Sequence, residues 1–180
     1  MNKKIQIITE VAILTALALV LDLIGSLFFN FVWLNGGSVS IAMLPILICG
    51  LRHKTEYGLL SGLLVGLIQL MWSKNYGPIS IFLDYIIAYT VIGLIGLVRE
   101  PLLKRKKWNL IYIFTIIFVF ILRLSAHVIS GMIVFEATFW FSLSYNFSYL
   151  SISMFFSSLI LWILIKKTPY IIFSNENNSK

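Results

Sequence analysis

From residue 108 to residue 136 the chain stays apolar for about 29 positions, with Arg123 and His127 as the main polar interruptions. A segment of that length can satisfy its backbone N–H and C=O groups away from water only as a helix. It also exceeds the roughly 20 residues that cross a bilayer upright, so it must tilt or protrude. Apolar segments at about 5–25, 40–51, 56–72, 78–98 and 143–167 read the same way. The second of these reaches only about 18 Å at about 1.5 Å per residue, against a hydrocarbon core of roughly 30 Å. Either it leans on its neighbours or the loop before it dips into the bundle. The expected fold is therefore an all-α integral membrane protein: a six-transmembrane-helix bundle forming one domain over residues 1–173, followed by a polar, disordered tail at 174–180. No internal repeat is visible.

Composition supports a bilayer: 59% of the 180 residues are hydrophobic and 12% charged, where soluble domains carry about 25% charged residues. The formal net charge of +7 would suit nucleic acid, but its placement excludes that partner. Lys3 and Lys4, Arg52 and Lys54, Arg99 with Lys104, Arg105, Lys106 and Lys107, and Lys166, Lys167 and Lys180 all fall between or beyond the apolar segments. Basic clusters at alternate connections mark the cytoplasmic side. Both termini, the 52–56 turn and the 99–107 loop are thus expected inside, and the 26–39, 73–77 and 137–142 connections outside, in a bacterial plasma membrane. The N-terminal segment imitates a signal peptide, but Glu10 interrupts it and further spans follow, so it reads as an uncleaved first helix. Cys49, a lone cysteine in an apolar run, reads as a small buried hydrophobe and excludes an intrachain disulfide or a multi-cysteine metal site. No phosphate loop, HExxH, GxSxG or multi-histidine cluster is present. No metal or cofactor is expected, and a binding site without an energy source implies a partner.

The polar residues inside the spans converge. Asp84 lies about 9 Å and His127 about 14 Å below the outer ends of their helices, and Asn146 stands near the outer start of the sixth. Arg123 shares a helical face with His127, one turn deeper. Trp33, Trp72, Tyr76, Phe135, Trp140 and Tyr145 gather at the same end. A carboxylate, an imidazole and an amide under aromatic walls describe a pocket for a small, flat, nitrogen-rich cation. Blander readings compete: Asp84 pairing only with Arg123, His127 as a satisfied interior histidine, Asn146 as helix-packing glue, and the aromatics as interfacial belt, the better reading for Trp72 and Trp140. Asp22 is expected to snorkel or cap at the end of the first helix, and Glu10 has no assigned chemistry. Ala12 and Ala16, at i and i+4, permit close approach of another helix, either within the chain or from a partner.

The stretches TEVAILTALALVL (9–21), GGSVSIAMLPILICGLRH (36–53), GLLSGLLVGLIQ (58–69), FLDYIIAYTVIGLIGLVR (82–99), RLSAHVISGMIVF (123–135) and SLSYNFSYL (142–150) resemble, in order and nearly end to end, the thiamine-specific substrate-binding (S) components of energy-coupling factor transporters. The resemblance implies a six-helix protein that captures thiamine from outside under a lid formed by the first loop. It would deliver the vitamin by toppling in the membrane, driven by a separate transmembrane subunit and two ABC-type ATPases. It further implies that Asp84 holds the aminopyrimidine, that His127 and Asn146 hydrogen-bond the ligand, that Trp33 and Phe135 line the site, and that Ala12 and Ala16 contact the transmembrane subunit. Tyr76, Tyr145 and Arg123 complete the expected ligand-binding set. The chain departs from some members in having Asp for Glu at 84, and Phe for Trp and Tyr at 135 and 141. An S component for another vitamin or a thiamine precursor, an intramembrane enzyme and a structural membrane subunit are the competing readings.

Overall fold

A computed structural model of the chain describes residues 2–29, 31–33, 36–74, 76–104 and 107–173. The expectations placed on Arg105 and Lys106, and on the tail at 174–180, lie outside the described residues. All regular structure among the described residues is helical: α1 (Lys3–Phe29), α2 (Met43–His53), α3 (Thr55–Gln69), α4 (Pro78–Leu103), α5 (Trp108–Val134), α6 (Phe139–Lys167) and a single turn, α7 (Pro169–Ile172). Four of these, α1, α4, α5 and α6, are long and apolar enough to cross a membrane. Large apolar side chains stay exposed along their outer faces, among them Ile13 and Leu17 on α1, Phe114 and Phe118 on α5, and Phe155 on α6. A surface that apolar is stable against lipid, not water.

The short second helix does lean on its neighbours. Eight of its 11 residues are buried, and it packs against α1, α3, α4 and α6. Pro45 stands in its first turn, where the missing N–H costs nothing. Ile46, Leu47 and Leu51 of α2 meet Val65, Ile92, Ile95, Val119 and Leu161 in the core. Cys49 is buried as expected, its thiol donating to the Tyr57 carbonyl at 3.3 Å.

The contact between α3 and α4 is backbone against backbone. Gly58, Gly62 and Gly66 recur at every fourth position of α3, one stripe of a helix. A methyl group added at Gly62 would lie 2.3 Å from the Tyr89 carbonyl oxygen, and one at Gly66 equally close to that of Tyr85. From the other side, a methyl group at Gly93 would lie 2.2 Å from the Gly58 carbonyl carbon. The α4 backbone adapts along its length: it opens to π-helical winding over Ile81–Ile87, with Ala88 N–H reaching the Leu83 carbonyl, and tightens to 3-10 winding over Val91–Val98. It also runs to Leu103, past the expected end near 98. Winding returns to α at Arg99, so Pro101 stands in a first turn, where no N–H is needed. At the far end α6 starts at Phe139, four residues earlier than expected, with Thr138 in extended conformation before it.

The basic end of the bundle is tied by Glu10, which accepts from Arg52 Nε at 2.5 Å and lies 2.9 Å from His53 Nε2. Arg52 also donates to the Ile171 carbonyl. The charge of Glu10 thus joins α1, α2 and α7.

Candidate ligand-binding site

At the opposite end the helices splay around a cavity of about 140 Å³, comparable to cavities that hold one benzene-sized ring. All eight residues expected to bind ligand line it: Trp33, Tyr76, Asp84, Arg123, His127, Phe135, Tyr145 and Asn146. Each arrives from a different register. The π-wound turn of α4 carries Asp84, the last turns of α5 carry Arg123 and His127 with Phe135 just past its end, the first two turns of α6 carry Tyr145 and Asn146, and the loops add Trp33 and Tyr76. A π-helical turn at such a place is typical of functional sites.

Asp84 does not pair with Arg123. One carboxylate oxygen accepts from Ser80 Oγ at 2.8 Å and Ser130 Oγ at 2.5 Å, while the other lies 2.9 Å from His127 Nδ1. Facing a carboxylate, Nδ1 carries the proton, which leaves Nε2 as the second functional atom. His127 Nε2 is buried and has no hydrogen-bond partner among the described residues. Buried polar atoms are nearly always partnered in a finished complex, so the cavity asks for a ligand there.

Asn146 is held from both ends. Its amide nitrogen donates to the carbonyls of Ser142 at 2.9 Å and His127 at 3.4 Å, and its carbonyl accepts from Tyr149 OH at 2.7 Å. It therefore locks α5 to α6 beside the cavity while keeping one carbonyl lone pair. Aromatic rings form the rim and walls. Tyr76 and Phe135 meet edge to face at 4.7 Å, and Trp33 stands edge-on to Tyr149 at 5.8 Å.

The loop between α1 and α2 lies across the mouth, fastened mainly to α6. Trp33 Nε1 donates to Ser148 Oγ at 2.8 Å, Tyr145 OH to the Gly36 carbonyl at 2.8 Å, and Ser40 N–H to Ser153 Oγ at 3.1 Å. Gly37, at φ +102°, presses on the Tyr149 ring so closely that a methyl group there would meet it at 2.7 Å.

Two expectations are corrected. Asp22 neither snorkels nor caps: it is 1% exposed, accepting from Gln69 Nε2 at 2.6 Å and Tyr89 OH at 3.1 Å. It shares one helical stripe with Val11, Thr15, Ala18 and Gly25, and that period of three and four was the signal that places it inward. Trp72 is no belt residue. The chain turns back after Gln69, with Trp72 N–H bonded to the Gln69 carbonyl, and the indole lines the cavity with its N–H buried. Trp140, by contrast, is 73% exposed and outside the cavity. Gln69, Ser80, Tyr89, Ser130 and Tyr149 are further lining residues that single-residue reasoning passed over.

A family model described as "Thiamine transporter protein" matches residues 8–173. The chain belongs to this family. The thiamine transporter ThiT of Bacillus subtilis (strain 168) is 34% identical over 190 residues, covering 97% of this chain and 98% of that protein. A solved structure of ThiT from Listeria monocytogenes shares the fold with a TM-score of 0.76, at 24% identity, over 96% of this chain and 100% of that one. As a member of the thiamine transporter family with four span-length apolar helices, the chain is a multi-pass cell-membrane protein. Ala12 and Ala16 lie on the exposed face of α1, one position off the buried stripe.

Proposed function

We propose that this chain is the thiamine-binding component of a vitamin uptake system and captures its ligand from outside the cell. The observation that carries this reading is the Asp84–His127 pair beneath an aromatic rim, with His127 lining a ring-sized cavity and its Nε2 unpartnered among the described residues. The aminopyrimidine supplies what these groups lack. Its amino group donates to His127 Nε2, and its ring stacks against the aromatic walls. The Asp84 carboxylate, held by Ser80, Ser130 and His127, stands to offset the permanent charge of the thiazolium. Asn146 offers its remaining carbonyl lone pair, and the loop carrying Trp33 covers the ligand.

The chain performs no catalytic step on this reading. The basic end, with Lys3, Lys4, Arg52, Lys54, Lys166 and Lys167, faces the cytoplasm by the positive-inside rule. Energy comes from a separate transmembrane subunit and two ABC-type ATPases, as the resemblance to S components of energy-coupling factor transporters implies. The exposed Ala12 and Ala16 face offers that subunit a flat place to pack.

Titrating the purified protein with thiamine while following tryptophan fluorescence tests the reading, because Trp33 and Trp72 border the cavity. A saturable change is expected. Absence of saturable binding defeats the assignment.

A further inference from the structure

His127 is not alone in carrying a buried acceptor that the described residues leave open. Gln69 closes α3, is 6% exposed and lines the cavity. Its two amide atoms have different fates. Nε2 donates to Asp22 Oδ2 at 2.6 Å, a bond that joins α3 to α1. The Tyr89 hydroxyl holds the other Asp22 oxygen at 3.1 Å, so the acid is tied to α3 and α4 together and anchors the amide. Oε1, the atom left over, is buried and has no hydrogen-bond partner among the described residues. Arg123 and Trp72 also line the cavity and have buried N–H groups without partners among the described residues, yet neither reaches this oxygen.

A buried amide oxygen left unpaired is costly, and such atoms are nearly always partnered. What completes Gln69 must therefore bring a hydrogen-bond donor into the cavity. Asn and Gln side chains can serve either way, but here the donor side is already committed to Asp22 and the acceptor side remains.

We infer that Gln69 is a specificity-determining residue whose Oε1 accepts from an N–H or O–H donor of the ligand. This rests on the thiamine reading and deepens it by adding a second acceptor to His127 Nε2. Thiamine carries such donors in two places, its exocyclic amino group and its hydroxyethyl hydroxyl. A ligand of the same shape with an oxo or an alkyl group there would set an acceptor, or nothing, against Oε1. Sites built to pair with a donor reject ligands that lack it far more strongly than they reject a small change in bulk.

Calorimetric titration of the purified full-length chain with three probes tests the inference. The probes are thiamine, the analogue with an oxo group in place of the amino group, and the analogue with ethyl in place of hydroxyethyl. All three keep the thiazolium charge, so the ratios among them report hydrogen bonding. Gln69→Leu keeps much of the side-chain bulk and removes the acceptor. It is expected to lower thiamine affinity about tenfold while leaving one analogue nearly unchanged. The oxo analogue is spared if Oε1 takes the amino group, and the ethyl analogue if it takes the hydroxyl. Equal weakening of all three probes marks a merely structural residue and overturns the inference, as does an unaltered thiamine affinity. Should Gln69→Leu not fold, Gln69→Met carries the same comparison, and a wild type that binds all three probes alike overturns the inference without any variant. These outcomes refute the role of Gln69 alone, whereas a wild type that binds none of the three refutes the thiamine reading beneath it.

Discussion

Asp84 illustrates how little a residue's type decides without its partners. Set in an apolar run, its carboxylate could have been neutralised by Arg123. Instead it gathers two hydroxyls and an imidazole from α4 and α5 and stays available to a cation. Asp84→Asn removes the charge and sets an amide against the hydroxyl donors. With charge-assisted hydrogen bonds contributing about 1.5–3 kcal/mol, thiamine affinity should fall about 10- to 100-fold. Lys74→Ala, at the solvent-exposed mouth, should change it by no more than about twofold, because exposed charges are screened. Equal effects in calorimetric titrations of the two variants would contradict the pocket as drawn. At this scale the sequence was a good guide to Asp84 and His127, since depth along a helix follows from counting residues. It was a poor guide to Asn146, whose hydrogen bonds to α5 and α6 depend on which way the amide faces. It misled for Asp22, where position at a helix end suggested solvent although the stripe through Thr15 and Ala18 pointed inward.

Elements transmit these choices. The glycine stripe of α3 lets α4 approach until backbone touches backbone, and the points of contact are the carbonyls of Tyr85 and Tyr89, both of which line the cavity. Gly93→Ala drives a methyl group into the Gly58 backbone from the α4 side. Overpacking of this kind costs about 1–3 kcal/mol, and a drop of several degrees in the thermal midpoint of the detergent-solubilised protein is expected. Leu97→Ala, 65% exposed on the same helix, should leave the midpoint nearly unmoved. The loop over the mouth is a second element with a measurable duty. Trp33→Phe keeps a ring on Tyr149 but loses the hydrogen bond to Ser148, worth about 0.5–1.5 kcal/mol. Thiamine release in stopped-flow traces should quicken about two- to tenfold with entry little altered, and an unchanged release rate would show that this contact does not hold the loop. Helix existence was plain from apolar length, and boundaries were off by a few residues where local chemistry intervened, as at Pro101 and Thr138. The changes of winding in α4 left no trace in hydrophobicity, because they arise from packing against a neighbour.

For the whole molecule the division is between two ends and an outer wall. One end is basic and knotted by Glu10, Arg52 and the Ile171 carbonyl; the other holds the cavity. Along the wall, α1 shows a face bearing Ala12 and Ala16 that is exposed among the described residues. Ala16→Trp should therefore leave thermal stability and thiamine binding as they were, yet abolish uptake of labelled thiamine in cells carrying the energising subunits. Normal uptake would remove α1 from the partner interface. The helical membrane fold was evident from apolar length and the rhythm of basic clusters. Which side of α1 faces inward was marked only by the spacing of its small and polar residues, Thr15, Ala18, Asp22 and Gly25.

The backbone-on-backbone seam between α3 and α4 also bears on how such a receptor can diversify. Where two main chains touch there are no side chains to exchange, so that wall offers a changing protein almost no variants to sample. New ligand preferences would have to be written on the side chains that α4, α5, α6 and the covering loop bring to the cavity, while the glycine seam serves as the fixed ruler against which those changes are measured.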